Sequence, residues 1–392
     1  MTLKYLTGTI VTAALCTAGC SLTTEQPPEP GPDAITSVVI VAGTHANSPR
    51  PQLSEDSAAV VRSVLAVNGT VGVVAVTGSP APLSADELKL RPVKGPRTAQ
   101  EATVRANLSQ IAKAVQASPA GDGSDPWEAI HQAAGLLGAN ARNPRIIVID
   151  SGLGDRGVLD FTRPGMLGAV PAEIVAHVKS LGSLPALRGV TVRLQCLGYT
   201  SAPQVALPAH LRANLTSVYT AVLTAAGGRV EVDATPCAGA SVETDGHRVN
   251  PVNVPALREP VLCGRDELVF TSQSAVRFHG DRDDLIDPSA ARTALAPLAR
   301  WLADKPSRRA VVRGTTARSG SRSYQEHLGG ARAKVVARLL LELGARPGQL
   351  TTRGVGSYFA AYQPDRDSRT GELIPGPAAQ NRSVRIATQS PC

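Results

Sequence analysis

Apolar positions in the C-terminal third of the chain follow two repeats, and these predict a mixture of helices and strands. From Ser323 to Leu343, leucine and valine recur at three- and four-residue spacing, which predicts one long amphipathic helix. A second helix is predicted over Ala291–Asp304. Short apolar runs predict strands at Ala275–Phe278, Arg309–Arg313, Gln349–Arg353 and Arg382–Ala387. The predicted order is βαβαβ followed by one more strand, an α+β domain.

Residues Ala34–Asp233 alternate short Val/Ile-rich runs with amphipathic stretches. The runs are nearly continuous in hydrophobicity, as buried parallel strands are: Ser37–Ala42, Gly72–Thr77, Arg145–Asp150, Val190–Leu197 and Arg229–Val232. Helices are predicted between them at Ser54–Leu65, Thr98–Gln116, Asp125–Leu137, Pro171–Leu181 and Pro208–Ala226. This alternation predicts an α/β fold, a doubly wound and mostly parallel sheet with helices on both faces.

The N-terminus has the pattern of an export signal. Lys4 is followed by an apolar run from Leu6 to Leu15, which is too short to span a bilayer, so residues 1–19 are interpreted as a signal peptide. Small residues before Cys20 resemble the lipobox of bacterial lipoproteins, which implies that Cys20 is lipidated. An ordinary signal peptide with a chance cysteine is the alternative. Residues 20–33 are Pro-rich and predict a semi-rigid tether.

The remaining segments are divided by composition. Residues 34–233 form the N-terminal domain, 234–265 a Pro-containing linker and 266–392 the C-terminal domain. In an exported chain, the even number of cysteines left after Cys16 and Cys20 predicts two disulfides. Three pairings are possible, and we favour Cys196–Cys237 with Cys263–Cys392. Free buried thiols are the alternative.

The net charge of +8 suits anionic envelope polymers and lipid headgroups. Nucleic acid is excluded as a partner because the basic residues are scattered and aromatic residues make up only 3% of the chain. The chain also lacks a Gly-x-Ser-x-Gly elbow, a phosphate-binding P-loop and a dinucleotide motif. We therefore expect no enzymatic activity and no cofactor.

Several motifs of the C-terminal domain occur in order and at characteristic distances: Gly314-Thr315-Thr316-Ala317, Gly320-Ser321, Tyr324-Gln325, Arg332-Ala333, Gly354-Val355-Gly356 and Asn381-Arg382-Ser383-Val384. From roughly Glu267 to Thr388 the chain resembles the OmpA-like peptidoglycan-binding domain. The resemblance implies that Arg332 pairs with a carboxylate of diaminopimelate in the peptidoglycan stem peptide. The acid that holds the amine of this ligand in the family is replaced by Ala317.

The resemblance supplies a set of candidate peptidoglycan-binding residues, which are Thr315, Thr316, Arg318, Tyr324, Gln325, Arg332, Asn381 and Arg382. Each also has a structural interpretation. Arg332 is a solvated helix residue in that interpretation, Tyr324 a packing residue, and Asn381 with Arg382 an anchor for the last strand.

The N-terminal domain resembles a von Willebrand factor A-like domain, in its strand and helix order and in the run from Ile146 to Gly152. That family binds a divalent cation through an Asp-x-Ser-x-Ser loop, a Thr and a second Asp. Here the loop reads Ala42-Gly43-Thr44-His45-Ala46, without the leading Asp and the last Ser. A hard cation needs several oxygen ligands, so we expect no metal site. His45 and the group Asp150, Ser151 and Asp155 follow strand ends, where ligands often bind, but such residues are also ordinary loop and cap residues.

Two functions are compatible with these features. The first is an exported lipoprotein, anchored to a bacterial membrane through Cys20 and facing the cell wall or periplasm, that tethers the membrane to peptidoglycan without enzymatic activity. The second is an envelope interaction or assembly scaffold whose OmpA-like domain has lost stem-peptide binding because of Ala317. In both, the N-terminal domain binds an unknown protein partner.

Overall fold

The computed structural model describes residues 29–255 and 267–388. The expected signal peptide, Cys20 and the Cys263–Cys392 pair lie outside these residues, as does most of the tether. Within them the predicted fold class is confirmed, because an N-terminal α/β unit precedes a smaller unit of sheet and helices. No helix in the described ranges is both long and apolar enough to span a lipid bilayer.

The N-terminal sheet is doubly wound. Its strands are β1 (Ser37–Ala42), β2 (Thr70–Ala75), β3 (Ala81–Pro82), β4 (Arg145–Ile149), β5 (Thr191–Gln195) and β6 (Arg229–Val232). The spatial order is β3-β2-β1-β4-β5-β6, and all neighbours are parallel except β2 and β3. The order reverses between β1 and β4, which is where doubly wound sheets open a crevice for ligands.

Helices cover both faces of this sheet. They are α1 (Glu55–Ala66), α2 (Ala85–Leu88), α3 (Arg97–Val115), α4 (Pro126–Leu136), α5 (Pro171–Ser180) and α6 (Ala209–Ala225). Successive side chains of β1 enter opposite cores, with Val39 and Val41 in one and Val38 and Ile40 in the other. This two-sided burial explains why the strand is continuously apolar.

The predicted disulfide between Cys196 and Cys237 is confirmed, with a Cα–Cα distance of 5.2 Å. It joins the residue after β5 to the segment that follows β6. That segment continues along the N-terminal domain, where Val242 and Val252 are buried and the Asn250 backbone N–H donates to Asp155 at 2.8 Å. Part of the stretch between the two domains therefore packs against the first of them.

The C-terminal sheet has four strands within the described residues, β7 (Glu267–Phe270), β8 (Ala310–Thr315), β9 (Leu350–Gly356) and β10 (Val384–Thr388). Their order is β7-β10-β8-β9, with β8 and β9 parallel and β10 antiparallel to both of its neighbours. Three helices accompany the sheet, α7 (Pro288–Asp304), α8 (Arg322–Glu342) and α9 (Pro375–Asn381).

Two sequence predictions for this domain were wrong. The first strand is Glu267–Phe270, whereas Ala275–Phe278 contributes only one isolated bridge, from Phe278 to Leu285. The stretch from Phe359 to Gln380 is polar and rich in Pro and Gly, which predicts a mobile surface loop, but it contains most of α9 and a fully buried Asp365. Asp365 accepts hydrogen bonds from the Arg318 backbone at 2.9 Å and the Asn381 amide at 2.9 Å, so its charge is satisfied inside the loop.

Helix α8 lies unusually close to the sheet because glycines meet at the crossing. A Cβ atom on Gly314 of β8 would lie 1.9 Å from the Gly329 carbonyl oxygen, and one on Gly354 of β9 would lie 1.9 Å from that of Glu326. Neither position accepts a side chain without displacing the helix backbone. This contact sets the height of α8 over the sheet, and with it the position of Arg332 three residues beyond Gly329.

The two domains share a tight interface that centres on an ion pair. The Arg382 guanidinium donates to both carboxylate oxygens of Glu173 on α5, with Nη1 2.9 Å from Oε2. The two side chains are only 7% and 18% exposed. Beside them, His210 of α6 donates to the Gln273 carbonyl at 3.1 Å, and Gly168 packs against Gln273.

We predict that Glu173→Gln destabilises the protein by about 3 kcal/mol, because removing one partner of a buried pair leaves an uncompensated charge. Urea unfolding measures the change. Glu101→Gln is the control, since its pair with Arg97 is 59% and 90% exposed and should contribute at most about 1 kcal/mol. Equal effects of the two substitutions would contradict the proposed importance of the interdomain pair.

Candidate functional site

The C-terminal candidate site is built around the side chain of Arg332 on α8. The helix begins where the Ser321 hydroxyl accepts a hydrogen bond from the Tyr324 backbone N–H at 3.1 Å, a standard N-terminal cap. One face of the helix then packs on the sheet through Leu328, Val336 and other apolar residues. Arg332 lies on this inner face and is only 2% exposed, so it is not a solvated surface residue.

The Arg332 guanidinium is held by backbone carbonyls and not by a carboxylate. Nε donates to the Arg282 carbonyl at 3.0 Å, and Nη2 donates to those of His279, at 3.2 Å, and Gly280. The guanidinium carbon lies 5.3 Å from the centre of the Phe278 ring. Nη1 has no hydrogen-bond partner among residues 29–255 and 267–388, which leaves its two N–H groups available to a ligand.

Burial and the neighbouring charge of Arg382 lower the pKa of the Arg332 guanidinium to about 10. The side chain therefore remains protonated at neutral pH. A buried cation without a carboxylate partner is unusual in a protein interior, because desolvation of an unpaired charge is costly. The arrangement is well suited to accept an anionic group from outside.

A small cavity of about 10 Å³ lies beside the guanidinium. It has room for about one water molecule. Five of the eight predicted binding residues line it: Thr316, Tyr324, Gln325, Arg332 and Arg382. Ala317, which takes the place of the family's acid, lines it too. The Thr316 hydroxyl is buried there without a hydrogen-bond partner among the described residues.

Three of the predicted residues do not reach this cavity. Thr315 is fully buried, and its hydroxyl bonds to the Ser383 carbonyl at 3.0 Å, which ties β8 to β10. Asn381 bonds to the Gln363 backbone, with its amide nitrogen 2.7 Å from the carbonyl. Arg318 is exposed, and only its backbone takes part, by donating to Asp365 at 2.9 Å. All three organise the walls around the site.

Arg382 has a different role from the one expected of a free cation at a cleft. It lines the cavity, but its guanidinium is committed to Glu173 of the other domain. Its remaining effect on the site is repulsion, since its charge lowers the pKa of Arg332. Arg332 is therefore the cation of this cavity that carries no ion pair within the described residues.

One acidic residue at the site was not predicted from the sequence. Asp281 lines the same cavity, together with Gly280, Ser319 and Leu328. It lies on the loop that wraps the guanidinium, and the Tyr324 hydroxyl donates to its backbone carbonyl at 3.3 Å. No residue spacing signals this proximity, because the loop and α8 are about 50 residues apart and meet only in the folded domain. An Asp three residues after an aromatic strand residue is too common to have identified it.

Residues 277–372 match the sequence model of the OmpA family. The C-terminal domain is an OmpA family domain. No curated protein matches the chain.

Solved structures match about a third of the chain. The peptidoglycan-associated lipoprotein of Burkholderia pseudomallei is 25% identical, over 29% of this chain and 88% of that one, with a TM-score of 0.23. The periplasmic domain of Helicobacter pylori MotB is 18% identical over 32% and 83%, with a TM-score of 0.26. The cell wall anchor of the Pseudomonas aeruginosa T6SS is 20% identical over 32% and 80%, with a TM-score of 0.24.

The N-terminal domain, outside the OmpA family match, has a second polar cluster at the crevice between β1 and β4. His45 is 1% exposed, and its Nε2 lies 2.7 Å from Asp150 Oδ2 and 3.1 Å from Ser124 Oγ. Its Nδ1 contacts the Ala46 carbonyl. Asp155 accepts from the Ser124 backbone N–H at 2.7 Å. From the sequence, His45 could equally be an ordinary loop residue. In the structure it is the centre of a buried network.

This network fits neither a nucleophilic triad nor a divalent cation. In a triad, the serine and the acid bond to opposite nitrogens of the imidazole, whereas Ser124 and Asp150 here share Nε2 of His45. The His45 imidazole is also hydrogen-bonded to the Asp150 carboxylate oxygen that would have to coordinate a cation. No group of three or more His, Cys, Asp or Glu side chains suited to a metal occurs within residues 29–255 and 267–388.

The network predicts a pH dependence of stability. Burial lowers the pKa of the His45 imidazole, but the charge and hydrogen bond of Asp150 outweigh this effect and raise the pKa above its ordinary value of 6.5. A raised folded-state pKa means that the stabilisation is complete below about pH 6.5, the unfolded-state value. It is lost as the pH rises through the raised folded-state pKa.

We therefore expect His45→Gln to destabilise the N-terminal domain by about 1.5–3 kcal/mol at pH 6, with a smaller difference from wild type at alkaline pH. Urea unfolding in a Trp301→Phe background measures this, because Trp127 in the N-terminal core is then the only tryptophan. His327→Gln, at an exposed position on α8, is the control. A difference that stays constant from pH 6 to pH 9 would contradict the assignment.

Proposed function

We propose that the protein is an exported, lipid-anchored tether whose OmpA family domain binds the stem peptide of peptidoglycan. The observation that carries this proposal is the buried Arg332 guanidinium, which has no carboxylate partner among the described residues. It lines a cavity together with the Thr316 hydroxyl, which has no partner among them either. An anionic group of a ligand would supply the missing interaction. In the family that the sequence resembles, an arginine at this place binds the carboxylate of diaminopimelate.

The rest of the chain is assigned a supporting role. Lipidation at Cys20 would hold the N-terminus at a membrane, and the tether over residues 20–33 would extend the folded part toward the wall. The N-terminal domain, with the strand order of a doubly wound sheet and a von Willebrand factor A-like sequence pattern, would bind a protein partner. The imidazole of His45 lies against the Asp150 carboxylate at its crevice, which supports recognition without a metal ion.

A scaffold that has lost wall binding is the second candidate, and Ala317 is the observation in its favour. Its methyl group is 2% exposed and lines the cavity where the family places a carboxylate. Hydrogen bonds to charged groups contribute about 1.5–3 kcal/mol, so loss of the acid alone weakens binding by roughly 10- to 100-fold. Measured binding of the wild-type protein to cell-wall sacculi separates the two candidates.

For the tether, we expect wild-type protein to sediment with purified sacculi and Arg332→Met to bind roughly 10- to 100-fold more weakly. Methionine keeps most of the side-chain volume, and circular dichroism verifies that the variant is folded. Arg338→Met is the matched control, since Arg338 is an exposed arginine on the same helix. If wild-type protein does not sediment with sacculi, the tether is wrong and the scaffold is favoured.

The anchor is tested separately by fractionation. We expect Cys20→Ala to move the protein from the membrane fraction to the soluble fraction, because the acyl chains on one lipidated cysteine provide the membrane affinity. Cys16→Ala lies within the same expected signal peptide and should leave the protein in the membrane fraction. Retention of the Cys20→Ala protein in the membrane would show that another element anchors it.

A further inference from the structure

The OmpA family domain lacks the acid that its family uses for an ammonium group, and the cavity shows what stands in that place. Ala317 presents a buried methyl group, which has no charge and no hydrogen-bonding capacity. In a ligand with both a carboxylate and an ammonium group, the carboxylate could therefore bind the Arg332 cation. The ammonium group would have no acid at position 317 to bind.

One acidic residue, Asp281, lines the cavity together with Ala317, and it lies on the loop of residues 279–282. Carbonyls of residues 279, 280 and 282 accept hydrogen bonds from Arg332, so the loop is wrapped around the guanidinium. On its other side, the Tyr324 hydroxyl bonds to the Asp281 carbonyl at 3.3 Å. The backbone of Asp281 is thus held from two elements, and Asp281 lines the same cavity as Ala317.

No other described side chain bonds to the Asp281 carboxylate. Within residues 29–255 and 267–388 it forms no salt bridge or side-chain hydrogen bond, although its neighbour Asp284 pairs with Arg282 at 2.6 Å. The charge of Asp283 also acts on Arg332, but Asp283 does not line the cavity. Two other carboxylates near the site are already bonded. Asp365 accepts from Asn381 and from the Tyr362 hydroxyl, and Glu173 is paired with Arg382.

A separate observation points to a missing ligand. The Thr316 hydroxyl is buried within the same cavity and has no hydrogen-bond partner among the described residues. Thr316 is 3% exposed, so solvent does not readily satisfy it. A buried hydroxyl costs free energy when it is unpaired, and a polar ligand group in the cavity would remove that cost.

We infer that Asp281 has taken over the role of the family's acid and, opposite Arg332, binds the ammonium group of a zwitterionic stem-peptide residue. This inference rests on the proposed function. The cavity of about 10 Å³ is too small for a whole amino-acid side chain. Asp281 and Tyr324 are exposed at its mouth, so the ammonium group binds there while the ligand's carboxylate points toward Nη1 of Arg332.

The test uses the full-length protein and a soluble muropeptide that contains diaminopimelate, with binding measured by calorimetry. We expect Asp281→Asn to weaken binding roughly 10- to 100-fold. Glu372→Gln, at an exposed position of the same domain outside the cavity lining, should bind like wild type. Asp281→Asn combined with Ala317→Asp should recover affinity, because the acid is then restored at the family's position.

A second probe tests the chemistry of the contact. When the side-chain amine of the diaminopimelate is acetylated, wild type and Asp281→Asn should bind the muropeptide with the same reduced affinity, because no ammonium group remains for Asp281. If Asp281→Asn binds the unmodified muropeptide like wild type while Arg332→Met binds weakly, the inference is wrong and the proposed function stands. If wild type binds neither muropeptide nor sacculi, both are wrong.

Discussion

A buried guanidinium without an acid is the constraint around which the C-terminal domain is arranged. Arg332 lies on the sheet-facing side of α8, where its guanidinium is shielded from water. Three carbonyl groups of one loop accept its hydrogen bonds in place of water molecules. Those hydrogen bonds require the loop to fold back over the helix, which brings Asp281 to the edge of the cavity. The same charge thus fixes the local backbone and defines what kind of ligand the cavity attracts.

The second arginine at the cavity shows how the two domains are coupled. Arg382 would add a competing cation if it were free, but Glu173 of α5 neutralises it across the interface. The N-terminal domain therefore contributes to the electrostatics of a site to which its own helices supply no cavity-lining residue. A change in how the domains pack would alter the charge beside Arg332 as well as the stability of the interface.

The elements that depend on local pattern were predictable from the sequence, whereas those that depend on distant contacts were not. The apolar run of β1 and the helical spacing around Arg332 gave correct positions, because burial follows directly from those repeats. Strand β7 was missed because Glu267–Phe270 is defined by pairing with β10, more than 100 residues away. Asp281 and the pair of His45 with Asp150 were missed for the same reason, since each links segments that only the folded chain brings together.

The glycine contact between α8 and the sheet has a consequence for how such a domain can diversify. Because Gly314 and Gly354 leave no gap beneath the helix, α8 can neither tilt nor slide toward the strands. The spacing between Arg332 and the end of β8 is therefore fixed by the packing of the helix against the strands. Evolution of a new ligand preference would then proceed through replacements in the loops at the rim, where a residue can change without moving the backbone underneath.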